Sequence, residues 1–169
     1  MFKEAEVIGD KSIIYVTELT DVKELNKKLV EYICSFEQYK DENVNPYSFQ
    51  TPWLISSAET KYIVKKVFDM LGILGLKEKF IAYNVFGNIY KTGDRNKIHN
   101  HPSAEYSFNY YVQIPENSAP TRFVASDKSI PAKEGRLTLF AGHLKHEVPP
   151  SNHQGLRITL AGNLRREKV

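Results

Sequence analysis

From Lys79 onward the chain is a succession of short runs rich in Tyr, Phe, Val, Ile and Thr, each ended by Gly, Pro, Asn or Asp. The runs cover 80–90, 107–114, 121–125, 136–140, 146–148 and 156–163. They are too short and too often interrupted for helices, and two of them alternate strictly. Positions 105, 107, 109 and 111 are Glu, Ser, Asn and Tyr, whereas 106, 108, 110 and 112 are Tyr, Phe, Tyr and Val. Arg157, Thr159, Ala161 and Asn163 likewise alternate with Leu156, Ile158, Leu160 and Leu164, interrupted by Gly162. Side chains on a strand point to opposite faces with period two, so both runs predict strands with one polar and one apolar face.

The first part of the chain obeys a different period. After strand-like runs at 5–8 and 12–17, residues 21–38 place Val22, Leu25, Leu29, Ile33 and Phe36 at three- and four-residue steps, with Thr20 or Asp21 as N-cap. A Ser56-x-x-Glu59 capping box opens a second helix carrying Ile63, Val67, Met70 and Leu74, with Gly72 and Gly75 at its end. Between the helices, 41–55 contains Asn45-Pro46, Thr51-Pro52 and the single Trp53, too proline-broken for a helix. A segment of that kind is expected to be a flap over a binding site, or else a strap pinned by Trp53.

At 169 residues the chain suits one domain. We expect an α+β fold, mostly β: a double-sheet barrel with the helices packed on one outer face, 1–78 giving helical support and the flap and 79–164 the core. A net charge of +3 with mixed signs gives no nucleic-acid groove and no membrane surface. The lone Cys34 excludes an internal disulfide and is read as a buried small hydrophobe. With no signal-like apolar stretch, a cytoplasmic setting is the expectation.

His99 and His101 stand one residue apart and, on a strand, would aim two imidazoles at one point. His146 follows the Gly135-x-Leu137-x-Leu139-Phe140 strand, and together the three form a transition-metal candidate set. Glu105, four residues beyond His101, is an alternative ligand. On the last strand Arg157, with Thr159 two residues on, reads as a carboxylate clamp. A buried guanidinium needs an anion, either an acid such as Glu105 or a carboxylate ligand. Asn84, Phe86, Asn88 and Tyr90 share one parity and are pocket-lining candidates, as is Asn109. Tyr106, Phe108 and Tyr110 fall on the apolar parity and are expected in the core, and His143 and His153, in loops, have no assigned role.

His99-Asn100-His101-Pro102, Tyr110-Tyr111-Val112, the Gly135 strand, His146 and Arg157-Ile158-Thr159 through Asn163 resemble, over about residues 80–164, the iron(II)- and 2-oxoglutarate-dependent oxygenases. The resemblance is to small members found in bacteriophage and marine bacteria, with prolyl hydroxylases as relatives. It implies a double-stranded β-helix, or jelly roll, with iron(II) held by His99, the following motif residue and His146. It further implies that 2-oxoglutarate is a cosubstrate whose far carboxylate meets Arg157, with Tyr111 and Tyr90 beside it, in a hydroxylase acting on a small molecule or a peptide. One departure stands out: the family's His-x-Asp or His-x-Glu is here His-x-His101. Three arrangements follow: a three-histidine site, a site completed by Glu105, or a metal site less competent for oxygenation. The same letters also resemble cupin metal motifs, which need no Arg157-x-Thr159, and a metal-free jelly-roll interaction domain is a third reading.

Overall fold

The computed structural model describes residues 3–7, 13–36 and 47–167. In chain order these form β1 (Lys3–Val7), β2 (Ile13–Glu18), α1 (Lys23–Cys34), β3 (Phe49–Gln50), α2 (Ala58–Ile73), β4 (Phe80–Tyr90), β5 (Asn96–His99), β6 (Tyr106–Gln113), β7 (Thr121–Phe123), β8 (Lys128–Ile130), β9 (Arg136–Ala141), β10 (His146–Val148) and β11 (Arg157–Arg166). The strands make two antiparallel sheets, in the orders β1-β2-β9-β6-β11-β4-β3 and β5-β10-β7-β8. Of the expected double-sheet barrel the two sheets form, without closing into a barrel. Both sheets end in open edges, and among the described residues no ladder joins one to the other. They meet through side chains instead, as where Phe123 of β7 packs edge-on against Phe140 of β9, ring centroids 5.0 Å apart.

The period-two alternation has a direct structural consequence in the larger sheet. On one face of β11, Ile158, Leu160 and Leu164 join Val85 and Ile89 of β4 and Phe108, Tyr110 and Val112 of β6 in the main hydrophobic cluster. Leu29 and Ile33 of α1 and Ile63, Val67 and Met70 of α2 belong to that same cluster. Each such side chain removed from water contributes roughly 1.5–3 kcal/mol. Tyr110 keeps its hydroxyl satisfied by donating to Asn26 Oδ1 of α1 at 2.7 Å. The opposite face carries Arg157, Thr159 and Asn163, also buried, together with Asn88, Tyr90, Ser107 and Tyr111. A sheet buried on both faces with polar groups on one of them is lining a site.

Local details depart from expectation by a residue or two. Helix α1 starts later than 21, with Val22 at the N-cap and no side-chain cap, because Asp21 takes a left-handed φ of 56° and cannot cap. The capping box of α2 is Ser57 with Thr60, each side chain bonded to the other's backbone N–H, rather than Ser56 with Glu59. Within 41–55, residues 41–46 lie outside the described residues. The rest is a strap along β4: Thr51 N–H donates to Gly87 O, Ile55 N–H to Val85 O, and Val85 N–H to Trp53 O. Phe49, Thr51 and Ile55 are buried beneath it, which leaves no free flap over 47–55. Trp53 does not pin the strap by burial; it is 49% exposed and stacks edge-on against Phe86.

Helix α1 approaches β4 at Gly87, where a Cβ would lie 2.6 Å from the buried Ile33 side chain. Gly87→Ala is therefore expected to destabilise the fold by about 1–3 kcal/mol, the usual cost of overpacking. Urea unfolding measures it, and wild-type stability in the variant would mean that α1 yields freely at this contact.

Candidate metal centre

Strand pairing, more than sequence adjacency, assembles the histidines. His99 ends β5 and is the direct cross-strand partner of His146 on β10. His101 lies beyond the strand, in a turn whose position is fixed by its own N–H donating to Gly142 O at 2.7 Å. Thus the expected strand carrying both His99 and His101 stops two residues short of His101, and a loop brings His101 back. The three imidazoles nevertheless converge, with ring centroids 4.3 Å apart for His99 and His146, 5.0 Å for His99 and His101 and 5.3 Å for His101 and His146. One potential ligand nitrogen from each lies within 4.8 Å of the others.

Protonation is arranged by the backbone. His99 Nδ1 sits 2.7 Å from Lys97 O and His146 Nδ1 2.8 Å from Leu144 O. A carbonyl can only accept, so each Nδ1 carries the proton and each Nε2 presents a bare lone pair, the form a metal ligand needs. Burial, reinforced by the His99 charge, holds His101 down to about pKa 4. His146 is pushed to about 3, first by burial and then by His99, against a small opposing effect of Leu144 O. Phe140 at 4.8 Å and Phe123 at 5.7 Å wall the His146 ring. Three neutral nitrogen donors with an apolar wall fit a divalent transition metal.

Glu105 is elsewhere. Its carboxylate accepts from the Arg166 backbone N–H and lies 3.4 Å from the Arg166 guanidinium, so it completes neither the histidine cluster nor a pair with Arg157. The reason is the turn at 101–105, which, with Gly142 N–H donating to Glu105 O and Glu105 N–H to Leu164 O, sets Glu105 just before the start of β6, beside the C-terminal end of β11. Arg157 is 1% exposed, and none of its Nε, Nη1 and Nη2 atoms has a hydrogen-bond partner among the described residues. Its guanidinium carbon lies 5.1 Å from the Tyr90 ring centroid and 6.0 Å from that of Tyr111. Register places Thr159 between Asn88 and Tyr111, and Ala161 between Phe86 and Asn109. Thr159 is buried beside Arg157, Tyr111 shares a 2.8 Å hydrogen bond with Thr121 of the smaller sheet, and half-buried Asn109 stands one row further on. Burial raises the Tyr90 phenol against the lowering effect of Arg157.

Two contributors were not read from the sequence. Gly142 has no room for a Cβ, which would collide with the carbonyl oxygen of Ala104, and so lets the His101 turn lie against β9. Its only sequence signal is a glycine directly after a strand. His153 is 1% exposed; its Nε2 meets Tyr90 O at 3.2 Å and its Nδ1 Ser151 Oγ at 2.8 Å, tying its loop to the end of β4. Loop composition gives no hint of such burial.

No protein-family model matches the chain, and no curated protein sequence matches it. Solved structures do. The viral collagen prolyl hydroxylase of Paramecium bursaria Chlorella virus-1, in complex with 2-oxoglutarate, superposes with a TM-score of 0.73 at 19% identity, over 92% of this chain and 96% of that one. A Pseudomonas putida prolyl-4-hydroxylase gives 0.69 at 15% identity, over 92% and 93%. HygX from Streptomyces hygroscopicus, with nickel, 2-oxoglutarate and hygromycin B bound, gives 0.70 at 10% identity, over 92% and 83%. The chain has the fold of these 2-oxoglutarate and iron(II) oxygenases. Among the described residues no helix is long and apolar enough to cross a membrane.

The histidine cluster predicts one bound divalent metal per chain, lost in His99→Ala and in His146→Ala; elemental analysis showing full occupancy in both variants would contradict it. Acid sensitivity provides a second measurement. His101 and His146 have folded-state pKa values below the ordinary 6.5, so the unfolded chain binds more protons, and stability present above pH 6.5 is lost as pH falls toward 4 and 3. Metal-free protein should lose urea resistance between pH 7 and about 5, where carboxylates are still ionised, and His146→Asn should lose less.

Proposed function

We propose that the protein is an iron(II)- and 2-oxoglutarate-dependent dioxygenase, a hydroxylase of a small molecule or a peptide. The observation that carries this is Arg157: a fully buried guanidinium whose three nitrogens lack an acceptor among the described residues, on the polar inner face of the sheet. An unpaired buried charge of this kind costs several kcal/mol, and a carboxylate guest removes that cost. On this reading His99, His101 and His146 hold iron(II). Arg157 grips the far carboxylate of 2-oxoglutarate in a forked contact, aided by Thr159, Tyr111 and Tyr90, with Asn109 lining the space beyond. The two facing sheets then read as a double-stranded β-helix, with α1 and α2 as its outer support and residues 1–169 as one domain.

Bound iron(II) supplies the oxidative chemistry, in which oxygen and 2-oxoglutarate give succinate and carbon dioxide while a substrate C–H bond is hydroxylated. The chain itself supplies geometry and charge. Nδ1–H bonds to Lys97 O and Leu144 O orient two of the ligand rings, Phe123 and Phe140 keep water from one side of the cluster, and Arg157 orients the cosubstrate. The neighbours named for collagen prolyl hydroxylation and for hygromycin B support either a peptide or a small-molecule substrate.

Anaerobic addition of 2-oxoglutarate to the iron(II) protein should produce the visible charge-transfer absorption of a bidentate 2-oxo acid, and admission of oxygen should yield succinate. Arg157→Ala should weaken 2-oxoglutarate binding by about 2–5 kcal/mol while iron stays bound. Arg157→Lys should restore only part, since a point charge lacks the fork. A protein that binds iron yet shows neither the absorption nor succinate would instead be a cupin-like metalloprotein.

A further inference from the structure

The strap supplies a polar group to the buried inner face. Gln50 of β3 is the register partner of Asn88 on β4, Asn88 is the partner of Thr159 on β11, and Thr159 is the partner of Tyr111 on β6. These four side chains form one row across the sheet, beside the row that holds Tyr90 and Arg157. Phe49, the neighbour of Gln50, belongs to the helix-side core, so alternation sends Gln50 to the same face as Asn88. Asn88 is 4% exposed, and its Oδ1 has no hydrogen-bond partner among the described residues; the same is true of the buried Gln50 Nε2. One is an acceptor and the other a donor, and they project from adjacent strands.

The geometry points to Asn88 as an additional binding residue for the carboxylate of the 2-oxo acid, with Gln50 as the residue that positions it. This inference rests on the function proposed above and adds residues that neither the histidine motif nor the arginine implies. The reasoning follows from valence. A side-chain rotation that brings Gln50 Nε2–H to Asn88 Oδ1 satisfies both orphan atoms at once and turns the Asn88 amide nitrogen the other way, along the row toward Thr159 and Arg157. That end of the row and the Arg157 nitrogens of the row beside it then present mainly donors: the guanidinium, the Asn88 amide nitrogen and the Thr159 hydroxyl, which can donate as well as accept. Buried donors without an acceptor are costly, and a carboxylate, with about four acceptor sites on two oxygens, is the small guest that satisfies several together. The strap thereby becomes part of the cosubstrate pocket, because its hydrogen bonds to Gly87 and Val85 fix where Gln50 stands.

The test is anaerobic calorimetric titration of iron(II)-loaded protein with 2-oxoglutarate, together with thermal melting of the same proteins without the acid. Wild-type protein that fails to bind 2-oxoglutarate overturns the function itself, and this inference with it. If wild type binds, Asn88→Leu should raise the dissociation constant about tenfold or more, the range for a hydrogen bond to a charged group. Its acid-free melting temperature should stay level, because the contact with Gln50 is lost together with a buried amide nitrogen that has no acceptor until the acid binds. Gln50→Leu should weaken binding less, and should add nothing in the Asn88→Leu background, since it acts through Asn88. Wild-type affinity in Asn88→Leu, or weakened affinity accompanied by a lowered acid-free melting temperature, would make Asn88 a structural residue and overturn the assignment. Equal and additive losses in the two single variants would overturn the positioning role of Gln50.

Discussion

The arrangement depends on an uncompensated charge. Arg157 opens β11, a strand hydrogen-bonded along both edges to β4 and to β6, and pairs directly with Tyr90, which holds its guanidinium in the buried inner face of the larger sheet. Held there, it meets two tyrosine rings and, among the described residues, no carboxylate. Ring faces lessen the penalty of a buried cation but do not cancel it. Stability for this comes from the other face of the same strands, where Ile158, Leu160 and Leu164 share a core with both helices. The strand alternation thus divides the labour: one face holds the fold together and the other keeps a cation ready for an anion.

The metal cluster extends the same electrostatic logic. Three neutral imidazoles contribute no negative charge, so a divalent ion among them would keep its full formal charge. Together with Arg157 it would make the inter-sheet space strongly positive, and a doubly negative 2-oxo acid is the matching guest. Glu105, which could have supplied the missing anion, is held instead by Arg166 at the end of β11. His101 therefore is not a carboxylate substitute waiting to be replaced. On the proposed reading it is the ligand whose neutrality would set the charge of the site.

Much of this was legible from the sequence, because period-two alternation is a strong constraint. The alternations at 105–112 and 156–164 separated core-facing from site-facing residues on β6 and β11, and the run 80–90 coincides with β4. Residue spacing alone groups the three histidines, and the polar parity of β11 makes Arg157 a cation in need of an anion. What escaped notice depended on tertiary contacts. The arrival of His101 through a turn rests on Gly142, whose role is a close backbone approach invisible to patterning. His153 sits in a loop yet is fully buried, because its ring bonds a backbone carbonyl that sequence cannot place. The strap along β4 carries Pro52 and only two ladder residues, too little β signal to distinguish it from a flap. The two sheets of the expected double-sheet barrel form but do not close, since the lateral order of strands is not written in any one of them.

The measurement that tests the central claim most directly is the stability of Arg157→Met with and without 2-oxoglutarate. If the guanidinium is an unpaired charge awaiting a carboxylate, replacing it with an apolar chain of similar length should leave acid-free protein as resistant to urea as wild type, or more so. The extra stability that 2-oxoglutarate confers on wild type by binding the folded state should then vanish in the variant. A loss of about 3–5 kcal/mol in the acid-free variant, the cost of breaking a formed buried pair, would show that Arg157 already has its partner within the protein and would contradict the account.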